Sequence, residues 1–314
     1  RGWIDQGATW PESADEAVAG SKHWAFQPIQ QPKVPRVKNV SQVNNPIDAF
    51  VLERLQRRNL GLSPRAGRSQ LIRRVFLDVL GLAPSPQEVL TFLEDTREDA
   101  YQQLLRRVLN SPHYGERWGR HWLDVARYSD GMGASQDRAA LPDAWRYRDW
   151  VVRAFNRDLP YNQFVKDQIA GDLSETMEDK IATGFFAVGP TYTSDGGDPE
   201  SKAQAEAETL SDRVDTFSRA FLALTAACAR CHDHKFDPIT AADYYAIAGI
   251  FRNSRPALIP LATPEEVANY NAAQTAIKNQ DKAIKQFLDK TAKDLKINRK
   301  ELEKKIAGEP KEEL

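Results

Sequence analysis

Apolar residues recur at intervals of three and four along most of the chain, the spacing that places them on one face of an α-helix. The first such segment begins after Asn45 and runs toward Gly61, which predicts the end of the helix. Its apolar positions are Ile47, Phe50, Val51, Leu55 and Leu60. The next segment ends at Gly81, with apolar positions at Leu71, Val75, Leu77 and Leu80. Alternating runs typical of strands are few, so the pattern predicts a mainly α-helical protein.

Serine and proline positions predict where further helices begin and break. Ser85 and Glu88 have the spacing of a capping box, with a proline at the first helical position between them. Residues 99–130 and residues 144–173 each contain a proline that divides the stretch into two helices. The breaks fall at Ser111-Pro112 and Leu159-Pro160. A longer helix is predicted to begin at about Ala203 and to continue through residue 231.

Two segments of different composition flank this helical pattern. Residues 1–45 are rich in Pro and Gln, and we expect an extended arm because repeated prolines exclude a regular helix. Residues 46–255 are predicted to form one helical domain. Residues 256–314 contain a connector broken by prolines and then a stretch rich in Lys, Glu and Asn. Thr263 and Glu266 form a second capping box there, which predicts a long, partly exposed helix or a helical hairpin that begins a further, truncated region.

Composition and charge narrow the class of protein. The chain has 314 residues, of which 41% are hydrophobic and 28% charged, as in a globular protein. Its 43 basic and 44 acidic residues balance, so we expect no nucleic-acid partner. No apolar run reaches the roughly 18–20 residues of a membrane span. The chain begins with Arg1 and fits a mature or proteolysed piece, so a missing signal peptide is no evidence for the cytoplasm.

The residues best suited to bind a metal or cofactor lie in residues 221–240, "FLALTAACARCHDHKFDPIT". This segment contains both cysteines and two of the five histidines. C-x-x-C-H is the attachment signature of c-type haem. Cys228 and Cys231, one helical turn apart, would each add to one vinyl group on the porphyrin edge. His232 follows directly and is predicted to ligate the iron. The sequence therefore predicts a bundle of helices around one covalently bound haem c.

Other uses of the two thiols remain open at this stage. A redox dithiol usually begins a helix after a strand, whereas this pair follows an apolar, helical segment. A zinc site would take Cys228, Cys231 and either His232 or His234, and it would need a distant fourth ligand. The pair would otherwise be two buried structural thiols. Two cysteines are too few for a scaffold held by disulfides.

Long ordered blocks of the sequence carry a family resemblance. They are "LIRRVFLDVLGLAPSPQEV" (71–89), "ERWGRHWLDVARYSD" (116–130), "YRDWVVRAFNRDLPYNQFVKDQIAGDL" (147–173) and "LSDRVDTFSRAFLALTAACARCHDHKFDPITAADYYAIAGIF" (210–251). Together they resemble the planctomycete cytochrome C protein family, in particular its central domain of unknown function 1549, over about residues 45–252. The opening "RGWIDQGATWPE" resembles the end of a small cytochrome c domain. The resemblance implies a secreted protein that bears haem c, and it implies no settled activity.

Several side chains are candidates for the face of the iron opposite His232. His121 comes first, because helical spacing places it on one face with Trp118, Val125 and Tyr128. Met132, in "SDGMGAS", is a weaker candidate that would supply a thioether, and His113 is a third. His234 is too close in sequence to reach that face. We expect it to bond a haem propionate, Asp233 or Asp237.

Charged residues around the signature have two interpretations. Arg213, Arg219 and Arg230 are predicted to donate to the haem propionates or to form surface ion pairs. For a second set of residues, the sequence predicts either the lining of a substrate pocket or no more than an intrahelical ion pair between Asp124 and Arg127. This set comprises Asp124, Arg127, Tyr128 and Asp130.

The haem leaves two main classes of function. We favour an electron carrier with iron ligated on both faces, since the attachment signature supports it directly and no catalytic constellation is evident. The alternative is a peroxidase-like haem oxidoreductase with an open iron site. A zinc-binding or scaffold module of the cell envelope is a third possibility. Because haem c is attached outside the bacterial inner membrane, we expect a periplasmic or extracellular protein. Its partner would be a redox protein or further haem domains of the same longer chain, and an oligomer is compatible with the sequence.

Overall fold

The computed structural model describes residues 24, 27–131, 141–174, 176–194, 196–295 and 300. Within these ranges the chain forms α-helices and short turns of tighter or wider helix, with no β-strand, which confirms the mainly α class. The chain divides into two compact units, Arg1–Pro256 and Ala257–Leu314.

The first unit contains ten of the helices in the described ranges. They are α1 (Pro46–Gln56), α2 (Arg68–Val79), α3 (Pro86–Glu94), α4 (Ala100–Leu109), α5 (Pro112–Ala126), α6 (Ala144–Asn156), α7 (Tyr161–Ala170), α8 (Met177–Ala182), α9 (Pro199–Phe217) and α10 (Ala241–Arg252). Before them, residues 28–37 adopt neither helix nor strand, as expected for that part of the arm.

The second unit contains one long helix, α11 (Pro264–Asp294). Thr263 and Glu266 form the predicted capping box, with reciprocal bonds between side chains and backbone amides. In the described part of this unit the predicted helix is present over these residues. None of the helices in the described parts of either unit is long and apolar enough to cross a membrane.

Most helix ends fall where the local signals predict them. The Ser85–Glu88 capping box is present at the start of α3. Pro112 opens α5 and Pro160 precedes α7, so both predicted breaks are confirmed. Gly81 has φ +70 directly after α2, a left-handed conformation that suits glycine and ends the helix.

The first helix departs from its prediction. It ends at Gln56 rather than near Gly61, because Asn59 takes a left-handed conformation (φ 57) and the Leu60 amide turns back to the carbonyl oxygen of Leu55 at 2.9 Å. The predicted apolar face is also wrong. Ile47, Val51 and Leu60 are exposed, whereas Ala49 and Leu52 are buried.

Three clusters of buried apolar side chains hold the first unit. One joins α2, α3 and α4 through Ile72, Val75, Phe76, Leu80, Phe92, Ala100, Leu104 and Val108. The second joins α5 to α8 and includes Tyr147, Trp150, Val151, Phe164 and Phe185. The third consists of Val214, Ala226, Ala229, Ile239, Tyr244 and Ala248. It places the CxxCH segment between α9 and α10.

A polar network lies inside the second cluster. The Trp122 indole N–H donates to the Tyr147 hydroxyl at 3.0 Å and to Gln168 Oε1 at 2.8 Å. The Tyr147 hydroxyl itself donates to Gln168 Oε1 at 2.7 Å. Burial raises the pKa of Tyr147, so this phenol keeps its proton in the folded protein. The network fixes the Trp122 ring relative to α6 and α7.

Candidate functional site

The helix that leads to the two cysteines ends earlier than the sequence predicts. It begins at Pro199 and ends at Phe217, where a wider helical turn (Ser218–Leu222) follows and Ala223 takes φ 54. The buried Ser218 hydroxyl accepts from the Ala226 amide at 3.3 Å and donates to the carbonyl oxygen of Asp215 at 3.0 Å. These side-chain bonds compete with the helix ladder, so the predicted continuous helix through residue 231 is wrong.

Replacing Ser218 with alanine tests this local anchor. Ser218→Ala leaves the buried Ala226 amide without its acceptor, and we expect a loss of about 1–3 kcal/mol in the free energy of unfolding. Urea denaturation measures it. The matched control is Ser254→Ala, because Ser254 donates to the Ile250 carbonyl oxygen on an exposed helix end. The control should stay within about 0.5 kcal/mol of the unchanged protein. Equal effects of the two variants would contradict the anchoring role.

Cys228 and Cys231 lie in a short 3-10 turn, Ala227–Arg230, and its C-cap. We call residues 227–232 the CxxCH turn. Its Ala229 is fully buried in the third cluster, whereas both cysteines are exposed free thiols. Side chains three residues apart eclipse each other in a 3-10 turn. The packing is therefore carried by small apolar residues, and the two thiols project together into solvent.

The ring of His232 is held by a backbone bond. Its Nδ1 lies 2.8 Å from the carbonyl oxygen of Asp233, and because a carbonyl only accepts, Nδ1 carries the proton. In the neutral ring the lone pair is then on Nε2. A ligating histidine commonly makes this bond with its other nitrogen, which fixes its orientation and raises its basicity. The geometry suits His232 as a metal ligand through Nε2.

Helix α10 supports the turn from the other side. Thr240 and Asp243 form a capping box at its start, and the Ala241 amide donates to Asp233 Oδ1 at 2.7 Å. The Tyr245 hydroxyl donates to the Arg230 carbonyl oxygen at 3.0 Å. The start of α10 therefore fixes the backbone on both sides of His232. The sequence does contain a signal for this support, because Thr240 and Asp243 have the spacing of a capping box. This capping box was not predicted.

His234 is occupied by the loop itself. Its Nδ1 accepts from the amides of Phe236 at 3.3 Å and Asp237 at 2.8 Å, so this nitrogen carries no proton. The proton is on Nε2, 3.4 Å from Thr225 Oγ1. The Asp237 carboxylate lies 3.4 Å from Nδ1, but a neutral ring forms no ion pair with it. The structure thus makes His234 a residue that holds residues 234–237 in a turn.

Two candidates for the second iron ligand, His121 and His113, lie on α5. His121 is exposed on α5, with its ring centroid 5.6 Å from that of Trp118. Trp118 and Val125 on the same face are 38% and 40% exposed, so the face is open. His113 Nδ1 lies 2.7 Å from Glu116 Oε2 at the start of α5. Met132 lies outside the described residues. The assignments of His121 and Met132 stay predictions.

The end of α5 is attached to α9 by a half-buried ion pair. Arg127, the C-cap of α5 with φ 55, pairs with the Asp212 carboxylate and donates from Nη2 to the Asp212 carbonyl oxygen at 3.2 Å. Burial lowers the pKa of Arg127. The predicted intrahelical side-chain pair with Asp124 is replaced by this contact, and Asp124 meets Arg127 only through the backbone. Sequence spacing gave no signal for a contact across 85 positions.

The three arginines near the signature have different environments. Arg213 is half-buried and lines a small pocket beside Arg127, and burial lowers the pKa of Arg213. Arg219 pairs with Asp215 at 2.7 Å between Nε and Oδ2. Arg230 is part of the CxxCH turn itself. Arg230 lies between the two cysteines in sequence, and Lys235 is nearer to them than Arg219, which is 59% exposed.

Tyr128 and Asp130 form a short contact after α5. The hydroxyl donates to Asp130 Oδ1 at 2.5 Å. Burial, followed by the bond to Asp130 and its charge, raises the pKa of Tyr128 to about 12. This pair is the part of the predicted acidic and aromatic string that the structure brings together.

Stability is expected to fall as the pH rises from about 10, the ordinary pKa of tyrosine. Tyr128 and Tyr147 both have raised pKa values in the folded state, so the unfolded chain loses these protons first. Their stabilising contribution is complete below about pH 10 and is lost as the pH rises through the folded values. Urea denaturation across this range measures the slope. Tyr128→Phe should flatten it, and an unchanged slope would contradict the assignment.

No group of three His, Cys, Asp or Glu side chains converges as a metal site in the ranges that the structure describes. The zinc alternative would need His232 or His234 beside the thiols. His234 Nδ1 already accepts two amides, so Cys228, Cys231 and His232 remain as donors, one fewer than the four of a structural zinc site.

Comparisons with known proteins give a family match but no individual relative. No curated protein and no solved structure matches the chain. A family model described as PSCyt2, protein of unknown function (DUF1549), matches residues 46–256, which include α1 to α10 and the CxxCH turn. The opening residues that resemble a small cytochrome c domain lie outside this match. Since the match covers well over half of the chain, the protein belongs to the PSCyt2 family, the central domain of the planctomycete cytochrome C proteins.

Proposed function

We propose that this domain is a c-type cytochrome that carries one haem c on Cys228 and Cys231 and transfers electrons in the cell envelope. The observation that supports it is the CxxCH turn. Two exposed free thiols project from a turn that is packed through Ala229, and His232 follows with its proton on Nδ1. When bound, the haem supplies the one-electron chemistry of its iron.

The residues around the turn fit this group. Cys228 and Cys231 would hold the porphyrin edge through two thioether bonds, and His232 Nε2 would ligate the iron. Exposed apolar side chains precede and follow the turn in the chain: Leu222 is 49%, Phe236 79% and Tyr245 59% exposed. Apolar surface of this kind favours burial against a macrocycle.

The bonds around His232 indicate how this chain would tune the reduction potential of a bound haem iron. Asp233 accepts the Nδ1 proton with its backbone oxygen and accepts the Ala241 amide with its carboxylate. The ring orientation is therefore coupled to the start of α10. Arg219 and Arg230 would supply positive charge to the propionates. The second ligand, for which His121 and Met132 are candidates, decides whether the site acts as a carrier or as an open haem oxidoreductase.

A covalently bound haem also implies where this protein is located and which partners it has. Haem c is attached where reduced thiols meet haem on the outer side of the bacterial inner membrane, so we place the protein in the periplasm or outside the cell. Its partner would be a redox protein or another haem domain of the same longer chain. A scaffold module without haem is the remaining alternative.

The direct test is expression in the bacterial periplasm with and without the cytochrome c maturation machinery. With it, the purified chain should show a Soret band and a mass gain of one haem that survives denaturation. A colourless chain, or one without the mass gain, would refute the proposal. Adding imidazole and carbon monoxide then separates the two haem functions: low-spin iron that ignores both indicates a carrier, and high-spin iron that binds them indicates an oxidoreductase. His121→Ala should change the spin state if His121 is the second ligand.

A further inference from the structure

A second pocket lies away from the CxxCH turn, between α5, the turn that joins α6 to α7, and the start of α7. It has a volume of about 220 Å³. It is lined by Tyr114, Trp122, Ala154, Phe155, Asp158, Leu159, Tyr161 and Phe164. Five of these side chains are aromatic, one is acidic and none is basic.

The aromatic floor of this pocket is rigid. The rings of Trp122 and Phe164 meet edge to face with centroids 4.8 Å apart, and Phe155 meets Phe164 in the same way at 5.8 Å. The indole N–H of Trp122 is already bonded to Tyr147 and Gln168 in the core. The polar edge of Trp122 is thus directed inward, and its ring is held in place at the pocket.

Asp158 is the one charged group of the lining, and its side chain is exposed. It follows α6 with φ 51, a left-handed conformation that aspartate tolerates better than most residues other than glycine. A carboxylate there also meets the negative end of the helix dipole. Within the described part of the chain its side chain makes no hydrogen bond or ion pair. Its carboxylate is therefore available to a ligand in the pocket.

We propose that this pocket binds a small organic cation, with its ammonium group against the aromatic rings and Asp158 balancing its charge. Cations bind favourably over aromatic faces, most strongly where water is displaced. An anion would meet Asp158 without any basic side chain in the lining. A sugar would need more polar partners than one carboxylate and two tyrosine hydroxyls. The volume is below that of pockets for drug-sized ligands, so the ligand is small.

Calorimetry on the full chain tests this inference with choline and its uncharged carbon analogue, neohexyl alcohol. Choline should bind saturably and about tenfold more tightly than the analogue, because only choline gains the interaction with the rings and Asp158. Asp158→Asn should weaken choline binding several-fold, because the aromatic rings still attract the ammonium group, and should leave binding of the analogue unchanged. Asparagine suits the left-handed conformation, so this variant should remain folded, as a thermal melt checks.

The matched control is Asp172→Asn, which removes an exposed carboxylate elsewhere in the same unit. It should leave choline binding unchanged. The inference is overturned if choline does not bind saturably, if the analogue binds equally well, or if both variants weaken binding alike. None of these results depends on haem attachment, so they leave the proposed function standing.

Discussion

A chain that carries Cys228→Ser and Cys231→Ser is expected to lose all covalently bound haem while keeping its fold. Each thiol would supply one thioether bond, and serine oxygen does not replace it. Both cysteines are exposed, and the turn packs through Ala229 instead, so the substitutions leave the third cluster intact. The covalently bound haem is measured as the haem that remains after extraction with acidic acetone and as the mass gain in denaturing mass spectrometry. A thermal melt shows whether the chain is folded.

The control is Ala227→Ser, which introduces the same side chain at an exposed position of the same turn without removing a thiol. It should retain the haem. Each single cysteine variant should keep one thioether bond and show the altered absorption of a singly attached haem. Haem that survives extraction in the double variant would place the attachment elsewhere and reject the proposed function.

Gly115→Ala is expected to destabilise the first unit by about 3 kcal/mol. A Cβ atom at this position would lie 2.3 Å from the carbonyl oxygen of Val152 and 2.7 Å from the side chain of Asn156. The Gly115 amide also donates to Asn156 Oδ1 at 2.8 Å, a bond that the clash would break. Glycine to alanine inside a helix ordinarily stabilises by up to about 1 kcal/mol, so the expected sign is reversed.

Gly119→Ala, one turn along the same helix, is the matched control. Its Cβ would lie 3.4 Å from Val151 Cγ1, an ordinary packing contact. We expect this variant to be as stable as the unchanged protein or slightly more stable. Urea denaturation of both variants compares them. Similar unfolding free energies for the two would show that α5 and α6 do not approach as closely as described.

Local signals explain why much of the fold follows from the sequence. The capping boxes at Ser85 and Thr263 and the break before Pro112 involve neighbouring residues, whose bonds depend little on the rest of the chain. The CxxCH spacing is local in the same sense. These features were predicted because the interacting atoms are within one helical turn of each other.

Contacts between distant segments explain the errors. The predicted face of α1 was wrong because the fold covers Ala49 and Leu52 rather than Ile47 and Val51. The pairing of Arg127 with Asp212 depends on α5 meeting α9, which no spacing in the sequence reveals. The helix before the cysteines was overextended because hydrophobic periodicity does not report that the Ser218 hydroxyl takes over the backbone bonds.

The division of labour within the CxxCH turn bears on the order of events during biosynthesis. Ala229 of the turn is buried in the third cluster, whereas both cysteines are exposed. The hydrophobic core can therefore pack before a haem is attached. If haem is attached as proposed, the attachment enzyme would act on a chain whose interior is already packed, and the porphyrin would be added to its surface last.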